Sequence, residues 1–225
     1  ENGEQIMDFL LYKSGTISND YEVRHLKPTV KVGSTVELSI ISGRVTSDET
    51  IPIEGAVVSA QQFDDSAAYK DKVTIQASTV TDSDGYFSLF VSPDAYNIVA
   101  YDDGKTPQYR TIDTLSAGET YAFSDEDIQL KEPTTGTKNL IGEITINGVD
   151  IDYTYASLSF RQDTGDGQVI EVTSADILNG QKYEINLPIG IYSIVAWSAD
   201  ISAKTIVLDV QQADVEPIEN NITLP

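Results

Sequence analysis

The stretch Tyr96-Asn97-Ile98-Val99-Ala100-Tyr101 returns as Tyr192-Ser193-Ile194-Val195-Ala196-Trp197, and this repetition decides the fold. Both copies are rich in β-branched and aromatic residues, the composition of a strand. The match extends outward. Upstream, Ser42-Gly43-Arg44-Val45 answers to Ile141-Gly142-Glu143-Ile144, and Val91-Ser92-Pro93 to Asn186-Leu187-Pro188. Downstream, Tyr109-Arg110-Thr111-Ile112 answers to Ala203-Lys204-Thr205-Ile206, and Asp127-Ile128-Gln129-Leu130 to Asn221-Ile222-Thr223-Leu224. Two copies of one domain, each with its own core, fit the 225 residues.

Within each copy apolar and polar residues alternate with period two, the pattern of half-buried strands. In the first copy the pattern predicts strands over Val36–Ile40 leading into Val45, Ala56–Ala60, Val73–Ala77, Tyr86–Val91, Tyr96–Tyr101, Tyr109–Ile112 and Asp127–Leu130. In the second it predicts Gly142–Ile146, Ala156–Arg161, Val169–Thr173, Tyr183–Leu187, Tyr192–Trp197, Thr205–Val210 and Asn221–Leu224. Turn residues separate them, among them Asp82-Ser83-Asp84-Gly85, Ser92-Pro93-Asp94 and Asp163-Thr164-Gly165-Asp166-Gly167. Ser174–Gly180 is the best helix candidate, a single turn ending at glycine. The expected organisation is an N-terminal strand segment at 1–33, a first sandwich at 34–132, a linker at 133–138 and a second sandwich at 139–225. Seven short strands per copy without a long amphipathic helix indicate an all-β protein built as antiparallel sandwiches.

Charge and composition exclude several function classes. Lys and Arg total 14 against 36 acids, for a net charge of −22. Such a field repels phosphate backbones and anionic bilayers, so neither nucleic acid nor membrane insertion is expected. The absence of cysteine removes disulfides, thiolate metal sites and a cysteine nucleophile. His25 is the sole histidine and Met7 the sole methionine; no nucleophile motif accompanies His25, and no second histidine is available for a metal site. A chain rich in Thr, Ser, Asp, Tyr and Gly that opens at Glu1 without an initiator methionine suits a processed extracellular protein.

The run Ser42-Gly43-Arg44-Val45, Gly55-Ala56-Val57-Val58, Thr81-Asp82-Ser83-Asp84-Gly85-Tyr86-Phe87 and Pro93-Asp94-Ala95-Tyr96 resembles the carboxypeptidase-regulatory-like family, of the transthyretin-like (prealbumin-like) superfamily. The resemblance covers about Thr35–Leu130 well and Ile141–Leu224 in part, since the second copy has no "TDxxG" turn and carries Asp150–Tyr155 in place of the "GAxV" element. It implies two tandem seven-stranded Greek-key transthyretin-like β-sandwich domains and a non-catalytic module of surface or secreted proteins. It carries over no active-site residue.

The remaining candidates are acidic turns, aromatic rings and one apolar segment. Asp82 and Asp84 in the first copy, and Asp163 and Asp166 in the second, put carboxylates at loop tips where Ca²⁺ takes oxygen ligands, although neither turn completes a known calcium loop. No cofactor is otherwise expected. The twelve tyrosines and Trp197 offer platforms for sugars, but Tyr96 and Tyr192 recur at one repeat position, as core or corner residues do. Asn221-Ile222-Thr223 is a glycosylation triplet inside an expected strand. The run around Ile6, Phe9, Leu10 and Leu11 is too apolar to stand alone and is the candidate assembly strand. The expected function is a non-enzymatic extracellular structural subunit of a surface fibre, filament or stalk. Its partners would be copies of itself or neighbouring surface-protein domains, joined head to tail by N-terminal strand exchange, unless the segment is a partial repeat that lies against its own first domain. The alternative is a glycan- or Ca-binding accessory module of a larger surface protein or enzyme.

Overall fold

In a computed structural model, residues 38–48, 50–123, 126–147, 155–198, 201–211, 214 and 217–225 are described. The chain divides into two compact units. Within the described residues the first comprises 38–66 and 72–132, and the second comprises 67–71 and 133–225.

The first unit holds β1 (Ser39–Ser47), β2 (Val57–Phe63), β3 (Val73–Val80), β4 (Tyr86–Val91), β5 (Tyr96–Tyr101), β6 (Gln108–Ile112), β7 (Thr120–Ala122) and β8 (Ile128–Leu130). One sheet has the order β4-β1-β7, with β8 also on β1; the facing sheet has the order β3-β2-β5-β6. The second unit holds β9 (Thr137–Ile146), β10 (Tyr155–Asp163), β11 (Val169–Leu178), β12 (Lys182–Pro188), β13 (Gly190–Ser198), β14 (Ile201–Val210), β15 (Ile218–Glu219) and β16 (Ile222–Leu224). Its sheets, β12-β9-β15 with β16 also on β9, and β11-β10-β13-β14, repeat the first arrangement strand for strand. Each unit is a two-layer β-sandwich.

The expected seventh strand is one strand in two pieces. β7 and β8 both run parallel to β1, Ile40 opposite Thr120 and Val45 opposite Ile128. β15 and β16 run parallel to β9 in the same way, Leu140 opposite Ile218 and Ile144 opposite Ile222. At the break the amide of Phe123 donates to Ser42 O at 2.9 Å, and that of Asn220 to Ile141 O at 2.8 Å. The pieces β7 and β15 escape the sequence pattern because strands of three and two residues hold too few alternations to register.

Alternation assigns the faces. Ile41, Val45, Val58, Leu89, Ile98 and Ile128 form the first core; Leu140, Ile144, Leu158, Phe160, Ile194 and Ile222 are fully buried in the second. Each such side chain stabilises its sandwich by about 1.5–3 kcal/mol relative to exposure.

One local expectation is overturned. Ser174–Gly180 is not a helical turn: Ser174–Leu178 continues β11, paired with Tyr155–Ser159 of β10. Ala175 and Ile177 face the core while Ser174 and Asp176 alternate with them, a period of two that the terminal Asn-Gly had masked. Asn179 and Gly180 instead make the β11–β12 turn, with Gly180 at φ +79° and Asn179 Oδ1 accepting from the Ile146 amide at 2.8 Å. Among the described residues the only helical element is a 3₁₀ turn at Tyr69–Asp71.

Candidate functional site

The residues that recur between the units hold the frame. Tyr96 and Tyr192 are both buried, and each donates its phenol to the carbonyl four residues upstream: Ser92 O at 2.7 Å and Pro188 O at 2.9 Å. They are equivalent corner tyrosines, pinning the turn that leads into β5 and β13. Burial, with Asp94 alongside, pushes the Tyr96 phenol up to about 12. Gly43 and Gly142 recur for another reason. Gly43 lies opposite Phe87 and Gly142 opposite Tyr183, and a Cβ on either would enter the neighbouring ring. A Cβ on Gly142 would also meet Asn220 O at 2.0 Å.

The acidic turns are held by their own backbone. Asp82 Oδ1 accepts from the amides of Asp84 and Tyr86 at 3.0 and 2.8 Å. Gly85, at φ +80°, leaves no room for a Cβ, which would lie 2.4 Å from Val45 O. Thr81 Oγ1 accepts from the Ala56 amide and donates to Ile53 O, tying the start of β2 to the end of β3. The Thr-Asp-x-x-Gly motif is thus a set of turn-closing contacts. Asp84 is exposed, and its carbonyl accepts from Arg44 Nε at 2.9 Å. Asp163 Oδ1 accepts from the Gly165 amide at 2.7 Å, and Asp166 accepts from Thr164 Oγ1 and the Gln168 amide. Among the described residues no three of His, Cys, Asp or Glu come together where they would hold a metal ion. Asn221, of the glycosylation triplet, is exposed and its Oδ1 accepts from the Glu143 amide. Ile6, Phe9, Leu10 and Leu11, with Met7 and His25, lie outside the described residues.

Sequence reasoning missed a buried polar cluster in the second unit. Ser59 and Gln61 of β2 correspond to Ser159 and Arg161 of β10, and all four are buried. The register slips between Ala60 and Gln61 and between Phe160 and Arg161, the same bulge in both units. Gln61 Nε2 donates to Ser59 Oγ at 2.9 Å, as Arg161 Nε does to Ser159 Oγ at 2.8 Å. Across the bulge Gln61 faces Ile75, whereas Arg161 faces Glu171. Glu171 accepts from Ser159, and its carboxyl lies above the usual range because burial outweighs the help of Ser159, Ser174 and Arg161. Burial lowers the Arg161 guanidinium against the opposing pull of Glu171. Its remaining donors reach Tyr69 O at 2.5 Å and Lys70 O at 2.8 Å, on the 67–71 stretch of the same unit. Aligning Gln61 with Arg161 across the two copies would have been the signal.

The outer strands of the two sheets differ as well. β6 is five residues long, and its Arg110 pairs with Glu126 at 3.1 Å. Between β6 and β8 lies a groove of about 590 Å³, bounded by that ion pair and by the Thr106 amide donating to Lys131 O at 2.9 Å. β14 is ten residues long and pairs with β13 alone among the described strands. Val207 on β14 is 70% exposed and Ile191 on β13 is 64% exposed. Of the tyrosines considered as sugar platforms, Tyr86 and Tyr155 are exposed, and the guanidinium of Arg44 lies over the Tyr86 ring at 5.4 Å.

Residues 40–131 match the carboxypeptidase regulatory-like domain family. The first sandwich is a carboxypeptidase regulatory-like domain. No curated protein matches the chain at a significant level. Among solved structures, the chain is similar to the Bacillus anthracis TIE protein, at 13% identity and a TM-score of 0.32, over 84% of this chain and 34% of that one. It is also similar to a streptococcal ancillary pilin, at 11% identity and a TM-score of 0.32, over 87% of this chain and 65% of that one. A third is the shaft pilin SpaA from Lactobacillus rhamnosus GG, at 12% identity and a TM-score of 0.29, over 84% of this chain and 96% of that one. The chain therefore spans about a third of the first and two thirds of the second. At such scores these likenesses carry no argument about function. In the carboxypeptidase regulatory-like domain, the family motif residues Gly43, Thr81, Asp82, Gly85 and Tyr96 all close turns or admit a neighbouring ring, and none forms a reactive centre.

Proposed function

We propose that this chain is a non-catalytic structural subunit of an extracellular surface fibre, filament or stalk, joined head to tail by donation of its N-terminal strand. The observation that carries this reading is the completeness of each sandwich. Both units own the full strand set, β4-β1-β7/β8 over β3-β2-β5-β6 and its repeat, so neither needs the segment at Ile6–Tyr12 to close a sheet. An apolar strand that neither sandwich needs to close a sheet suits a sheet edge of another copy, where main-chain hydrogen bonds and alternate side chains hold it. A contact of that kind is head to tail and does not close on itself. The subunit works without a cofactor, its acidic turns serving to close connections between strands. No helix among the described residues is long and apolar enough to cross a membrane.

The test is deletion of residues 1–13 with sedimentation velocity. The full chain is expected to self-associate as its concentration rises, and the truncated chain to remain a folded monomer with an unchanged melting temperature. Unchanged association, or a loss of stability in the first unit, overturns the reading.

A further inference from the structure

We infer that the acceptor for the donated strand is the edge of β14 that is free among the described residues, and that the segment Asp8–Lys13 of a second copy pairs with Lys204–Asp209 in parallel register. The inference rests on the strand-donation reading and adds where, and in what alignment, the strand lands. An edge strand presents unpaired amides and carbonyls, and proteins blunt such edges with short length, charge or proline. β6 is blunted in this way, by its five residues and by Arg110. β12 ends in Pro188, and β15 and β16 are two and three residues long. β14 has none of these protections, and unlike β11, the ten-residue strand at the other end of its sheet whose residues are all buried or half-buried, it has Thr205, Val207 and Asp209 exposed on one face, with Ile206 and Leu208 half-buried on the other.

Charge selects the occupant and the direction. Lys204 and Asp209 are five residues apart, and so are Asp8 and Lys13, with the signs reversed. A parallel alignment places Asp8 opposite Lys204 and Lys13 opposite Asp209 together. It also sets Phe9 beside Thr205, Leu10 beside Ile206, Leu11 beside Val207 and Tyr12 beside Leu208, so the exposed Val207 gains an apolar neighbour. Antiparallel alignments satisfy at most one pair. Asp8 on Lys204 sends Lys13 to position 199, before the strand begins, and Lys13 on Asp209 sends Asp8 to Asp214, a like charge beyond its end. The present partners of these groups are weak competitors: Lys204 Nζ donates to Thr223 O at 3.2 Å, and Asp209 accepts from the Gln211 amide group at 2.7 Å, both exposed.

The experiment is self-association of the full chain by sedimentation, with charge reversals on each side of the contact. Lys204→Asp is expected to weaken association by about five- to thirtyfold, the effect of turning one cross-strand attraction into repulsion. Its melting temperature should stay unchanged, since Lys204 is exposed. The paired variant Asp8→Lys with Lys204→Asp is expected to return to within about threefold of the parent chain. If Lys204→Asp associates like the parent, or the paired variant is no better than the single one, the β14 assignment is overturned while strand donation stands. If removal of residues 1–13 leaves association unchanged, strand donation itself is overturned, and the acceptor with it.

Discussion

The two sandwiches share a frame and differ in what fills it. Gly43 and Gly142, Tyr96 and Tyr192, and the bulges at Gln61 and Arg161 occupy the same places in the two frames. Where the first unit packs Phe87 against Phe123, ring centres 6.5 Å apart, the second has Tyr183 donating to Asn220 O at 2.5 Å. Where the first has Gln61 across from Ile75, the second has Arg161 across from Glu171. The lesson is that the backbone geometry of this fold is held by a few glycines, turn residues and corner hydroxyls, while buried pairs between strands are exchangeable provided each stays internally satisfied.

The corner tyrosines make the largest test. Tyr96→Ala and Tyr192→Ala should each destabilise their own unit by about 3–5 kcal/mol, measured by urea unfolding, and the corresponding Phe variants by about 1 kcal/mol for the lost hydrogen bond. A large effect at one corner and none at the other would break the equivalence.

The exchangeable pair comes next. Arg161→Gln removes the donors to Tyr69 O and Lys70 O and the charge that favours an ionised Glu171, and should cost about 1–3 kcal/mol. Adding Glu171→Ile reproduces the first unit's pair and should recover part of that loss, because it removes the buried carboxyl as well. If the double variant is as unstable as the single one, the two sites are not exchangeable.

The glycines sharpen the comparison further. Gly142→Ala drives a Cβ into the fixed carbonyl of Asn220 and should cost roughly 3 kcal/mol, whereas Gly43→Ala meets only the Phe87 and Phe123 rings and should cost about 1 kcal/mol. Thermal unfolding of the two variants orders them.

The smallest effect is a pH dependence peculiar to the second unit. Glu171 titrates above its ordinary value of 4.5 because it is buried, so the folded chain holds a proton that the unfolded chain has released. The native state then binds more protons in the window that begins near 4.5 and runs upward, and stability falls as pH rises through it. Glu171→Gln should flatten this slope in chemical unfolding between pH 4.5 and neutrality, and no change in slope would contradict the assignment.

Much of the frame was legible because it is local. The runs Tyr86–Val91 and Tyr96–Tyr101 match β4 and β5 end to end, and Asp82-Ser83-Asp84-Gly85 announces its turn through an aspartate that bonds within five positions of itself. What escaped depends on distance along the chain. The meeting of Arg161 and Glu171 needs the β10–β11 register and its bulge, the first piece of each interrupted strand needs its parallel partner, and the exposed edge of β14 needs the whole strand order. Ser174–Gly180 was misread because Asn-Gly serves a turn from one sheet to the other as readily as a helix end.

Strand donation onto a free edge is tested most directly by hydrogen exchange of the β14 amides, residues 201–210, followed as the concentration of the full chain is raised. The account predicts that the outward-facing amides of this strand become protected as chains associate, and that a chain lacking residues 1–13 shows no such change. Exchange at β14 that is independent of concentration in an associating full-length chain would contradict it.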